Sequence, residues 1–118
     1  MSGARTLLEE ILVQTAEDWS DVSWIVGLAH GETSDPARAH QLALEAIVEG
    51  LSAGLLVGGD LAEDGFHPWP GDPDSAVLRV RRAWSELDGR DPEPDSIGWF
   101  DLTPAGEVRA QEIESREA

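Results

Sequence analysis

The sequence predicts one α+β domain that is mainly helical: three helices, then a two-stranded antiparallel ribbon with an inserted helix, then a C-terminal helix. Three observations lead to this prediction. The 118 residues suffice for one ordinary domain and are too few for two. Apolar residues recur at helical spacing in four segments. Two short runs of branched and aromatic residues lie between turn residues, as strands do.

The first two helices are predicted from their apolar spacing. One face of the first helix carries Leu8, Ile11 and Leu12. The second helix has apolar residues at positions i, i+3, i+4 and i+7, which are Val22, Ile25, Val26 and Ala29. Ser20 or Asp18 is the expected N-cap, because both side chains accept hydrogen bonds from free backbone amides.

The third helix has the clearest signals at its start. Asp35 is expected to cap it, and Pro36 suits the first helical position. Its apolar stripe consists of Leu44, Ile47, Val48 and Leu51. Gly50 or Gly54 is expected to end it.

The predicted strands are residues 55–57, which Gly58 and Gly59 follow, and residues 97–102. Between them a fourth helix presents Val77, Val80, Trp84 and Leu87 on one face. Thr103 and Pro104 are expected to open the C-terminal helix, Thr by accepting hydrogen bonds from free amides and Pro through its fixed φ. With a long segment between them, the two strands most simply pair antiparallel, with the helices covering one face.

The whole chain, 1–118, is expected to form a single domain. Residues 62–75 and 88–96 are dense in Pro, Gly and acidic residues, so both are predicted to be loops. Residues 112–118 are expected to fray.

The composition is strongly acidic, with 24 Asp and Glu against 8 Arg, no Lys and a formal charge of −16. This balance argues against direct contact with nucleic acid or with anionic lipid, because phosphate contacts need an excess of basic residues. The absence of Cys excludes disulfides, thiolate metal sites and a cysteine nucleophile. No apolar run is long enough to span a bilayer and no leader opens the chain, so a cytoplasmic protein is expected.

Three patterns suggest chemistry, and each has a simpler explanation. Gly50-Leu-Ser52-Ala-Gly54 matches a hydrolase nucleophile elbow, but a helix precedes it and a strand follows, the reverse of what that site needs. One cluster with metal-binding side chains lacks ligand spacing, namely His30, Glu32, Asp35 and His40. The five carboxylates between residues 60 and 74 lack the EF-hand register. We therefore expect no catalytic residue, metal or cofactor.

The segment Trp99-Phe-Asp-Leu102-Thr103-Pro-Ala-Gly106, following three helices and a strand, resembles the closing strand and helix of winged-helix domains. The matching positions are Leu102, Thr103 and Gly106. The resemblance implies that the third helix is the one that would enter the major groove. Its exposed stripe carries one arginine against two glutamates: Arg38, Gln41, Glu45, Glu49 and Ser52. The DNA-reading role does not carry over, so the resemblance implies a degenerate regulator that acts through protein contacts or dimerisation.

The charge predicts the main function, a non-enzymatic protein-binding module for a basic protein partner. An acidic field accelerates encounter with a basic surface. The most specific version of this module is a bacterial immunity or antitoxin-type inhibitor of a basic nuclease or toxin. The alternative is that the charge only keeps the protein in solution. The predicted partner-binding residues are Glu63, Asp64, Trp69, Asp72, Asp74, Asp91, Glu93 and Asp95. Trp69, between two prolines, is expected to be an exposed anchor, with packing onto the core as the alternative; homodimerisation stays open.

Overall fold

A computed structural model describes residues 5–117 as five helices and one antiparallel sheet of four strands, which confirms the α+β class. The elements in chain order are α1 (Leu7–Thr15), β1 (Ser20–Asp21), α2 (Val22–Ala29), α3 (Pro36–Ser52), β2 (Leu56–Ala62), β3 (Gly65–Pro68), α4 (Pro73–Leu87), β4 (Trp99–Leu102) and α5 (Pro104–Glu117). Within the described range, no helix combines the length and apolarity needed to cross a bilayer.

The sheet has the strand order β1-β4-β2-β3, and every neighbouring pair is antiparallel. The predicted ribbon is present as the β2–β4 pair, with α4 inserted between its strands. The prediction that the sheet has only two strands was wrong. β1 is a two-residue strand that forms by pairing with β4, and β3 folds back on β2 as a hairpin.

The hairpin corrects the interpretation of residues 62–75 as a loop. Ala62 pairs with Gly65, so only Glu63 and Asp64 form the turn. Gly65 has φ +121°, a conformation that side chains with a Cβ rarely adopt. Pro68 is the last residue of β3, which forms an edge of the sheet, and edges are where strands tolerate proline. Residues 88–96 contain no helix or strand, as predicted.

The helix ends follow the expected capping chemistry, with one correction. Asp35 caps α3 and Pro36 begins it, as predicted. The cap of α2 is Asp21, whose carboxylate accepts a hydrogen bond from the Trp24 amide. The sequence had predicted Ser20 or Asp18 as this cap, and that prediction was wrong. Gly54 follows the end of α3 with φ +73°, so it is the terminating glycine.

The C-terminal helix is fixed by two neighbours at its start. The Thr103 hydroxyl accepts from the Gly106 amide at 3.0 Å and donates to the Gly54 carbonyl at 2.6 Å. Gly106 lies against the Leu55 carbonyl so closely that a Cβ would come within 2.1 Å of that oxygen. The Thr-x-x-Gly segment therefore has a packing role: it locks α5 to the end of α3 and the start of β2.

Arginines of both chain ends join α1 to α5. Arg5 forms ion pairs with Glu10 and Glu117, and Arg116 pairs with Glu9 at 2.9 Å. The Arg5 guanidinium lowers the pKa of Glu117, and Arg116 lowers the pKa of Glu9. α5 is helical as far as Glu117, through most of the segment that the sequence predicts to fray.

Candidate functional site

The two faces of the sheet differ in burial. Along β2 and β4 successive side chains alternate between the faces. One side, here named the core face, carries Leu56, Gly58, Phe100 and Leu102, which are all buried. The other side, the outer face, carries Val57, Leu61, Trp99 and Asp101, which are all only half-buried.

The core face is sealed by aromatic packing. Phe100 is fully buried, and the ring of Trp69 meets it edge-on with centroids 6.3 Å apart. The Trp69 ring lies where the Cβ atoms of Gly58 and Gly98 would be, within 2.4 and 2.3 Å of those positions. The Arg79 guanidinium covers the Trp69 ring from outside, 4.5 Å from its centroid. This side of the sheet is therefore part of the hydrophobic core.

Four aromatic side chains form a partly exposed group on and beside the outer face, which we name the aromatic patch: Trp19, Trp24, Phe66 and Trp99. Trp19 stacks on Phe66 with centroids 6.3 Å apart and an interplanar angle of 20°. The Phe66 ring lies over Gly59, the residue that pairs with Trp99 across the sheet. Trp19 and Trp24 are 39% and 38% exposed, so both side chains present apolar surface to solvent.

A cavity of about 390 Å³ opens among these aromatic residues. Three of its lining residues are Trp19, Trp24 and Trp99. Three carboxylates also line it: Glu17, Asp18 and Asp21. We name this cavity the tryptophan pocket. It combines aromatic surface with negative charge, and none of the eight arginines lines it.

The carboxylates around the tryptophan pocket have no cationic partner among residues 5–117. None of the ion pairs formed in that range includes Glu17, Asp18, Asp21 or Asp95. By contrast, Glu9 and Glu117 are held by arginines between α1 and α5. The negative charge of the pocket is therefore not neutralised by an ion pair within residues 5–117.

Asp95 connects the 88–96 loop to the aromatic patch. Its carboxylate accepts from the Trp99 indole N–H at 2.5 Å, and its own amide donates to Asp21 at 3.3 Å. Asp95 adopts a left-handed backbone conformation with φ +66°, which Asp tolerates better than most residues. Asp21 is only 5% exposed and also accepts from the Trp24 amide and the Ser23 hydroxyl. These bonds hold the indole of Trp99 and the backbone of Trp24.

The eight residues predicted to bind a partner are distributed over the β2–β3 turn, residue 69, the start of α4 and the 88–96 loop. Asp95 lies at the aromatic patch, and Asp64 lies at the turn that precedes Phe66. Three others are used or placed elsewhere. Asp72 caps α4, Asp74 lies in its first turn, and Asp91 bonds to His40 at 2.7 Å. Glu63 and Glu93 are exposed, in the hairpin turn and the second loop.

Hydrogen bonds within the chain also occupy two of these carboxylates. His67 bonds to Asp64 at 2.7 Å and lowers the pKa of that carboxyl. The Ser75 amide and hydroxyl donate to Asp72 and lower its pKa. Both aspartates therefore have local structural partners.

The expectation that Trp69 is an exposed anchor was wrong. Trp69 is 8% exposed, because the Pro-rich segment packs down onto the core, which was the alternative. The glycines at positions 58 and 98 provide the space for its ring.

Sequence reasoning missed Trp19, Trp24 and Phe66 as surface residues. For Trp24 a signal existed, since it falls outside the apolar stripe of α2 and so points away from the core. Trp19 and Phe66 carry no such signal. Their stacking depends on a hairpin and an edge strand that local patterns did not reveal.

The other sequence patterns have structural explanations. Ser52 is exposed in the last turn of α3 rather than on a strand-to-helix elbow. His40 is buried, bonds to Asp91 and meets Trp84 edge-on. Within residues 5–117, no three His, Asp or Glu side chains are grouped to hold a metal ion.

Helix α4 carries three arginines, Arg79, Arg81 and Arg82. Within residues 5–117, Arg79 is the one of them that approaches a carboxylate, that of Asp60, at 3.9 Å. Arg81 and Arg82 are exposed, and neither forms an ion pair with any residue from 5 to 117.

No family model, curated protein or solved structure matches this chain. The function must therefore be inferred from the geometry of the chain itself.

Proposed function

We propose that this protein is a non-enzymatic, acidic protein-binding module of the cytoplasm that docks a basic protein partner on its aromatic patch. The supporting observation is that partly exposed indoles and unpaired carboxylates occur together at one side of the sheet. Tryptophan is the residue most enriched at the energetic centres of protein interfaces, and charged rims steer partners of opposite sign.

The charge distribution favours a basic partner over a second copy of the chain. At −16, two copies repel each other, and their aromatic patches would bring Glu17 and Asp18 of both into the same interface. A basic surface would instead neutralise these carboxylates. An inhibitor of the immunity or antitoxin type is the most specific form of this proposal, because such a protein occupies the basic nucleic-acid site of its target.

Capture from the native lysate, followed by kinetics on the isolated partner, tests this function. The immobilised wild-type protein is expected to retain one basic protein at a fixed stoichiometry. The double variant W19A/W99A should bind it roughly 30-fold or more weakly, the loss typical of interface hot spots. Val108→Ala is the matched control, since Val108 is 56% exposed on α5 and lies outside the aromatic patch.

Two results would contradict the proposal: equal binding by the wild type and W19A/W99A, or an acidic protein as the stoichiometric partner. The association rate provides an independent check. It should fall as salt is raised and fall again in E17Q/D18N, because steering depends on these charges.

A degenerate winged-helix regulator is the second proposal. It is supported by the order of three helices, strands and closing helix, and by the Thr103–Gly106 lock at the position where the resemblance places it. The exposed stripe of α3 remains negative, with Glu45 and Glu49 against Arg38. Duplex DNA at low salt distinguishes the two proposals, since a mobility shift that weakens steeply with salt would favour the regulator.

A further inference from the structure

We infer that the tryptophan pocket receives a guanidinium group, the side chain of an arginine on the partner. This inference rests on the proposed function and adds the chemistry of the group that enters the site. The pocket has two properties that a planar cation needs together: aromatic faces to stack on and carboxylates to accept its N–H groups.

The aromatic property comes from three indoles. Trp19, Trp24 and Trp99 line one cavity of about 390 Å³, which has room for a long side chain. Cations are attracted to the faces of aromatic rings, and tryptophan is the strongest of these partners. The Trp99 ring is held in place by its N–H bond to Asp95, so this wall is formed before any ligand arrives.

The carboxylates distinguish a guanidinium from other cations. Glu17 and Asp18 are exposed at the pocket and have no ion pair within residues 5–117. They accept hydrogen bonds, which a quaternary ammonium cannot donate. A guanidinium donates five N–H groups in one plane while stacking on a ring, whereas a lysine ammonium is a compact point charge.

Among residues 5–117, no cationic side chain lines the tryptophan pocket. A guanidinium does stack on tryptophan elsewhere in this fold, where Arg79 covers Trp69 at 4.5 Å. At the tryptophan pocket the same chemistry is present without the cation, since no arginine of the chain lines it.

The test uses N-acetyl-argininamide as probe and the five indole N–H signals of the ¹⁵N-labelled protein as readout. The signals of Trp19, Trp24 and Trp99 should shift saturably, with a dissociation constant on the order of 1 mM. Those of Trp69 and Trp84 serve as internal controls and should stay unchanged. N-acetyl-citrullinamide has nearly the same shape without the charge and should not bind, while N-acetyl-lysinamide should bind roughly threefold to tenfold more weakly.

Variants locate the site. Trp24→Leu should abolish the saturable shifts, and Asp18→Asn should weaken binding roughly threefold to tenfold. Asp74→Asn is the matched control, since Asp74 is an exposed carboxylate on α4, and should leave the affinity unchanged. Equal shifts with the citrulline probe, or shifts of all five signals together, would overturn the inference. So would a concentration-dependent shift of the three signals without probe, which would mean that a second copy fills the pocket.

The outcomes separate this inference from the proposed function. If the arginine probe saturates the pocket but no basic protein is captured, the pocket stands and the module proposal fails. If a basic protein binds through Trp19 and Trp99 while the probe does not bind, the module stands and the guanidinium inference fails.

Discussion

Trp99 and Phe100 are neighbours in β4, yet they belong to different environments. Phe100 is fully buried on the core face against Trp69, while Trp99 is half-buried on the outer face beside Trp19. Their partners on β2 alternate between the faces in the same way. Gly59 pairs with Trp99 on the outer face, and Gly58 pairs with Phe100 on the core face. One step along a strand therefore separates the residues that hold the domain together from those available to a partner.

Truncating each aromatic residue of this pair tests most directly whether the two environments differ in their contribution to stability. Phe100→Ala should lower the free energy of unfolding by about 3–5 kcal/mol, because it removes a fully buried ring and leaves a cavity. Trp99→Ala should cost about 1 kcal/mol, since its ring is half in water. Urea denaturation of both variants measures the difference. Equal losses would mean that the outer face contributes to the core.

A single methyl group tests how tightly the core face is closed. Gly58→Ala places a Cβ 2.4 Å from the Trp69 ring and should destabilise the protein by about 1–3 kcal/mol. Gly27→Ala is the matched control, because no atom lies within 4 Å of its added Cβ. In helix α2 that change should stabilise by about 0.5–1 kcal/mol. Thermal denaturation of the two variants should therefore give shifts of opposite sign, and a harmless Gly58→Ala would contradict the close packing of Trp69.

Paired and unpaired carboxylates are expected to differ in their contribution to stability, with a smaller effect than the aromatic residues and glycines. Arg5 holds the pKa of Glu117 below the ordinary 4.5, so this contribution to stability is present above that pH and is lost as the pH falls through the lowered pKa. Glu117→Gln should lower the melting temperature at pH 7, and the difference from the wild type should vanish as the pH falls through the lowered pKa of Glu117.

Glu114→Gln is the control for this titration, since Glu114 is exposed on the same helix and forms no ion pair within residues 5–117. It should not lower the melting temperature. Asp18→Asn at the tryptophan pocket should behave like this control, because it removes a charge that no cation of the chain balances. A drop with Asp18→Asn equal to that of Glu117→Gln would show that the pocket carboxylates stabilise the fold.

The helices were predictable because their signals are local. Asp35 and Pro36 start α3 where the sequence indicates, and Thr103 and Pro104 start α5. The edge strands were not predictable in this way. Ser20 belongs to a strand only because it pairs with Phe100, eighty positions further along, and β3 is hidden in a segment whose prolines and glycines favour loops.

The candidate site was predictable in its charge and not in its location. An excess of acidic residues is visible in the composition, but three of the seven chosen carboxylates cap a helix or bond to a histidine. The tryptophans that gather around the pocket come from the segment before β1, from α2 and from β4. Only the pairing of β1 with β4 brings Trp19 and Trp24 near Trp99, and that pairing depends on tertiary structure.

The edges of the sheet limit how the protein can associate. β1 is two residues long, and β3 is four residues long and ends in Pro68, which has no amide hydrogen to donate. Neither border offers a long ladder of free backbone groups to another strand. A partner that binds on the aromatic patch as proposed is therefore expected to contact side chains rather than to extend the sheet.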